Sequence, residues 1–248
     1  MRRAIPTSAR PRVRPAIIAA MKPSSVPPTP ALEELEGRII ECRACPRLVE
    51  WRERVAREKR AAFRDEAYWG RPVPGFGDPA ARLYVLGLAP AAHGGNRTGR
   101  VFTGDRAADW LWASMHRTGW CNQPTSRHIG DGLRVHGAFV GAAVRCAPPA
   151  NKPTTEERDR CLPYAQEELA LLGEVRVILA LGKFGWDAAC RMLGARPIPR
   201  FGHGAEHPLP GGRTLVGSFH PSQQNTFTGK LTAEMTDAVL VRARELTG

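Results

Sequence analysis

Four short, predominantly apolar runs punctuate the chain: RLYVLGLAP at 82–90, AFVGAAV at 138–144, VRVILALG at 175–182 and RTLVGSF at 213–219. Each is closed by Gly, Pro or a polar turn, the pattern of a strand buried on both faces. Between and around them apolar positions return at helical spacing. Helices are predicted over Ala31–Arg60, where Leu32, Leu35, Ile39 and Ile40 precede a cysteine pair, over Asp105–Arg117, over Thr155–Leu172 with Thr155 as N-cap, and over Lys183–Leu193. A last helix, Leu231–Leu246, carries Leu231, Met235, Ala238, Val239 and Leu246 near one face. Short apolar strands alternating with helices predict an α/β layer fold with a mainly parallel sheet. In such sheets ligands sit outside the carboxyl ends of the strands. Here those ends read GLAPAAHGG, VRCAPPANKP, LGKFG and SFHPSQQN.

A chain of 248 residues, 42% hydrophobic and 24% charged, can bury a sizeable core. That composition excludes wholesale disorder, collagen and coiled coil. No apolar run approaches the ~18–20 residues that span a bilayer, so no membrane partner is expected. Lys plus Arg number 36 against 24 Asp plus Glu, a net charge of +12 that points to a polyanionic partner, nucleic acid first. Only five of the 36 are lysine, so arginine-rich coding bias is the competing source of the charge. Six basic residues, seven prolines and no acid fall in residues 1–30, which read as a disordered basic arm ahead of a single domain over 31–248. The apolar stretch Ala16–Met21 is too short for a secretory core, so a cytoplasmic location is expected.

Six cysteines without an export signal favour metal or cluster ligation over disulfides. Cys42 and Cys45 form a C-x-x-C pair, Cys146 follows the second apolar run, and Cys161 lies near the start of a helical pattern. Four sulfurs suit tetrahedral zinc or a [4Fe-4S] cluster, and spacing alone does not choose. Cys121 and Cys190 read as bystanders.

GLAPAAHGGNRTGRVFTGD at 87–105, VRCAPPANKPT at 144–154 and HPSQQNTFTG at 220–229, with the four cysteines in this order, resemble the family 5 uracil-DNA glycosylases. The resemblance runs from about Leu35 to the C-terminus. It implies a three-layer αβα sandwich around a central four-stranded parallel sheet. It also implies a [4Fe-4S] cluster on Cys42, Cys45, Cys146 and Cys161. The implied partner is double-stranded DNA carrying uracil or another deaminated base, met by a monomer working at the nucleoid. By the same resemblance Phe102 stacks on a base flipped out of the duplex. His220 donates a hydrogen bond to that base as negative charge develops on it. Many superfamily members carry an acidic or amide residue in the first motif, where this chain has Leu88, Ala89, Ala91 and Ala92. The resemblance passes that polar role to Asp105 and adds Asn151 as an amide in the pocket.

Each of these residues has a plainer reading: Asp105 as a helix N-cap, Asn151 as a turn residue, Phe102 as core, His220 as a structural histidine. Gly87, Ala89, Ala91 and His93 complete the expected base-contacting set, the glycine allowing close backbone approach. Arg97, Arg100, Lys152, Ser222 and Asn225 are the expected DNA contacts, and Phe227 a wedge for the minor groove. An apolar first motif implies a tolerant pocket that takes hypoxanthine as well as uracil. No lysine lies in GLAPAAHGG or SFHPSQQN, so a monofunctional glycosylase is expected. The competing reading is a noncatalytic DNA-binding protein of the same fold, against which Asp105, Asn151 and His220 are all present. A branch in which a histidine captures the sugar needs a basic insertion that is not evident after His93, and no H-E-x-x-H motif supports a metal hydrolase.

Overall fold

In the computed structural model, which describes residues 29–248, the four apolar runs become four parallel strands. The strands are β1 (Phe76–Gly77), β2 (Leu83–Gly87), β3 (Ala138–Ala142), β4 (Val177–Leu181), β5 (Glu206–Leu209) and β6 (Arg213–Ser218). Their order across the sheet is β1-β3-β2-β4-β6-β5. The inner four are parallel, and β1 and β5 add antiparallel edges that the sequence pattern did not predict. Both edges lack an apolar run: β1 has two residues, and β5 places Pro208 on an outer edge, where its missing N–H costs nothing.

Every residue of β2, β3 and β4 is buried, so successive side chains feed opposite faces. Leu83 and Val85 pack on one face with Trp112 and Leu240, while Tyr84 and Leu86 pack on the other with Leu162 and Trp186. The first face is covered by α4 (Arg106–Arg117) and α8 (Ala233–Leu246), the second by α1 (Pro30–Ile40), α5 (Thr155–Leu171) and α6 (Gly182–Met192). This is the expected three-layer sandwich. Short helices α3 (Gly95–Thr98) and α7 (Gln223–Phe227) follow β2 and β6.

The helical stretch expected from Ala31 to Arg60 is split at the cysteine pair into α1 and α2 (Pro46–Glu58), with Pro46 opening the second helix. Thr154, not Thr155, caps α5 through a capping box with Glu157, whose carboxylate accepts from Thr154 N at 2.8 Å. The expected basic arm lies outside the described residues apart from Thr29 and Pro30, which begin the fold: Thr29 Oγ1 accepts from Leu32 N and caps α1. Among the described residues no helix is long and apolar enough to cross a membrane.

Candidate active site at the strand ends

Loops leaving β2, β3 and β6 meet at a cleft of about 1040 Å³. Ala91 and His93 enter it from the loop after β2, Asp105 from the start of α4, Asn151 from the turn after β3, and Gln223 from the start of α7. Asp105 does cap α4, its Oδ1 accepting from Ala108 N at 2.9 Å. Its other oxygen lies against Gly94, where any Cβ would collide with it. The carboxylate is thus held by a helix start on one side and by bare backbone on the other. Burial raises its pKa, an effect opposed by the N–H groups of Ala108 and Ala107.

His220 follows β6, and burial pushes its imidazole down to about 4, so the ring is neutral at physiological pH. Its backbone is braced by the loop that follows: its carbonyl accepts from Ser222 N at 2.7 Å and from Asn225 Nδ2 at 2.9 Å. Ser222 Oγ in turn caps α7. The structure therefore gives Ser222 and Asn225 bracing roles behind the histidine.

Phe102 faces His220 with ring centroids 6.4 Å apart, and neither residue is among those that line the cleft. Its ring sits where a Cβ on Gly87 would stand, 2.7 Å from that position, so this glycine makes room for the phenyl group. Phe102 adopts φ +46°, a conformation bulky residues avoid, held in part by Trp112 Nε1 donating to its carbonyl at 2.5 Å. Ala150 and Asn151 are also at positive φ, 52° and 55°. Three of the four non-glycine residues at positive φ among those described thus fall in two segments singled out from sequence.

Several expected contacts are engaged inside the protein, Arg97 at the wall of the cleft among them. Arg97 and Arg100 are not surface groups: they are 8% and 6% exposed. Arg97 pairs with Glu66, donates to His93 O at 2.8 Å and Gly104 O at 2.9 Å, and lies over Phe63. Arg100 pairs with Asp131 at 2.7 Å and reaches Ser126 Oγ and Thr103 Oγ1. Both arginines splice the loop after β2 to its neighbours, because a guanidinium's fork can satisfy several carbonyls at once. Ala89 packs toward Cys45, Leu48 and Cys146 rather than lining the cleft. Lys152 is exposed beside Asn151, as a surface contact requires. The cleft's exposed cations are Arg60, Arg106 and Arg127, which no periodicity in the sequence distinguishes from other arginines. Tyr68, also missed, meets His93 Nδ1 through its hydroxyl at 3.0 Å. Burial, then the cations Arg60 and Arg97, lower the His93 pKa.

On the far side of the loop after β2, Cys42, Cys45, Cys146 and Cys161 line one small cavity, brought together by the turn between α1 and α2, the loop after β3 and α5. Cys121 and Cys190 are packed into the two apolar faces. Among the described residues no three His, Cys, Asp or Glu side chains close onto a point that would hold one metal ion. Two N–H groups point at the sulfurs: Arg52 Nη1 to Cys146 Sγ at 2.9 Å and Arg145 N to Cys161 Sγ at 3.2 Å. Burial raises the thiols of Cys45, Cys146 and Cys161, the last two to about 11 and about 12. Four soft donors, N–H groups aimed at sulfur and a cation at hand fit an iron–sulfur cluster.

A family profile described as the uracil DNA glycosylase superfamily matches residues 74–244. A type-5 uracil-DNA glycosylase of Mycobacterium tuberculosis is 54% identical over 218 residues, covering 87% of this chain and 81% of its own length. One of Thermus thermophilus is 54% identical over 211 residues, 85% of this chain and 95% of its own. A type-4 uracil-DNA glycosylase of Pyrobaculum aerophilum is 31% identical over 130 residues, 52% of this chain and 58% of its own.

Proposed function

The chain belongs to the uracil-DNA glycosylase superfamily, in its type-5 branch, and from that premise we propose that it hydrolyses the N-glycosidic bond of a deaminated base in double-stranded DNA, leaving an abasic site. Uracil is the first substrate, in keeping with the names of its relatives. Hypoxanthine is the second, admitted because the loop after β2 presents alanines rather than a side chain that selects by hydrogen bonding. The observation that carries this reading is a buried carboxylate, Asp105, at the same strand ends as a histidine that burial keeps neutral, His220.

The base leaves the stack at a cost of a few kcal/mol and is received by the Phe102 ring. As the bond from C1′ to the base nitrogen breaks, its electron pair goes to the base and positive charge develops on the sugar. His220, neutral, donates a hydrogen bond to the base and needs no proton transfer to do so. Asp105 faces the sugar cation and orients water toward C1′, while Asn151 fixes the base or the water with its amide. The water's oxygen ends on C1′ and its proton on the base. Cys42, Cys45, Cys146 and Cys161 would hold a [4Fe-4S] cluster whose contribution is to fasten the start of the fold to the loop after β3.

The test is single-turnover base release from duplexes carrying uracil or hypoxanthine. Release of both, with no adduct trapped by borohydride, is the expected result. Refusal of every base except uracil would end the broad-range reading, and a trapped adduct the monofunctional one. No release by folded, iron-loaded protein would favour the noncatalytic DNA-binding alternative.

Phe227, 68% exposed with the Arg106 guanidinium 4.8 Å from its ring centre, is the side chain that fills the gap left by the base. Phe227→Ala is expected to slow release from a paired base more than from a mismatched one, since only the former must be pried from a partner. Arg106→Gln and Arg127→Gln are each expected to flatten the dependence of log K on log salt by up to ~0.9, one phosphate contact apiece. Unchanged slopes would move the backbone contacts off this rim.

A further inference from the structure

Arg52 projects from α2 into the four-cysteine site and is 2% exposed. Its Nη1 donates to Cys146 Sγ at 2.9 Å, and Nη1 and Nη2 both reach Cys42 O at 3.2 Å. Its Nε, also buried, has no hydrogen-bond partner. Among the described residues no carboxylate stands at ion-pair distance from it. Glu53, next in sequence, turns to Arg43 at 2.6 Å, and residues 1–28 contain no acid that could serve. The other fully buried arginine beside the thiols, Arg145, is by contrast paired with Glu168 at 2.7 Å. A buried guanidinium without an anion is costly, so its presence calls for negative charge at the thiols. Four thiolates around a cluster supply it. The backbone beneath is fixed as well, Arg52 O accepting from the buried Asn96 Nδ2 at 3.2 Å, and so the charge is held at the sulfurs rather than free to swing away.

We propose that Arg52 is the buried counter-charge of the cluster held by Cys42, Cys45, Cys146 and Cys161, and that it sets the cluster's reduction potential and retention. This rests on the cluster reading above. Adding an electron makes the cluster more negative, so a neighbouring cation favours the reduced form, and a hydrogen bond to a ligand sulfur acts in the same direction. Arg52 is a positioning and tuning residue and touches no substrate.

The experiment compares intact protein with Arg52→Gln, which keeps donors but loses the charge, and Arg52→Lys, which keeps the charge. All are purified without oxygen and assayed for iron per chain, loss of the cluster's visible absorbance under an iron chelator, and midpoint potential. Arg52→Gln is expected to lower the potential by at least about 59 mV, a tenfold change in a one-electron equilibrium, and to lose iron faster. Arg52→Lys is expected to stay near the intact protein in both. Insoluble Arg52→Gln beside iron-loaded Arg52→Lys would equally support the requirement for charge. An unchanged potential in Arg52→Gln, or equal loss in both variants, overturns the counter-charge while leaving the cluster in place. Absence of iron from the intact protein would instead remove the cluster reading itself and the proposal with it.

Discussion

Asp105→Asn is expected to cut single-turnover base release by roughly tenfold at least, and toward the ~10²-fold typical of losing one charge-stabilising group, without loss of thermal stability. The two halves of this expectation separate the competing roles of the residue. As a helix cap Asn is about as good as Asp, because its Oδ1 can still accept from Ala108 N. As the partner of a sugar cation it fails, because the charge is gone. Stability follows from the direction of the pKa shift. Burial raises the folded-state value of Asp105 above its ordinary 3.8, so its ionisation in the fold is disfavoured and stability is lost as pH rises through that window. An amide of the same shape relieves that burden, and Tm near neutral pH is expected to hold or rise. Base release by the intact protein should climb with pH through the same window and then level off. Full activity in Asp105→Asn would reduce the residue to a cap.

His220→Ala is expected to cost about 10²–10³ in the same rate constant, the range seen when a single donor to a developing anion is removed. The backbone bonds from Ser222 and Asn225 reach the carbonyl at position 220 and do not depend on the imidazole, so the loop should keep its course. A pH profile sharpens the test. Because burial holds His220 down to about 4, base release should show no inflection at the ordinary histidine value of 6.5. An inflection there that disappears in His220→Ala would mean that the ring works as an imidazolium. The stability signature is opposite to that of Asp105. His220 resists protonation in the fold, so stability attributable to it is complete above 6.5 and is lost as pH falls from 6.5 toward about 4. Acid titrations of the intact protein and His220→Ala by thermal melting should diverge in that interval.

Much of the architecture was legible along the chain because its causes are local. The central strands announce themselves as apolar runs closed by Gly and Pro, and the rule that ligands sit at strand carboxyl ends pointed to the loops that the cleft joins. The two edge strands were not legible, since they pair through backbone alone and carry no side-chain period. Thr155 was one residue from the true cap because Thr154 and Thr155 are equally good acceptors in sequence, and only the reach of Glu157 back to Thr154 N chooses between them.

Charge was the least readable property. Arg97 and Arg100 look like surface cations in a basic chain, yet Glu66 and Asp131, 31 residues away in each case, neutralise them inside the fold. Arg60, Arg106 and Arg127 remain exposed at the cleft, and Arg52 is buried against sulfur. An arginine's partner is found in space, at separations no local pattern encodes. The amino-acid sequence by itself determined the four central strands and most of the helices, because hydrophobic period and turn residues act over a few positions, whereas the expected site residues came from motifs that resemble a known family. Only the tertiary structure decided which charges stay exposed at the cleft, which are spent on internal pairs, and which carboxylate and imidazole are driven toward their neutral forms. Those outcomes depend on desolvation and on Coulomb partners supplied by distant segments.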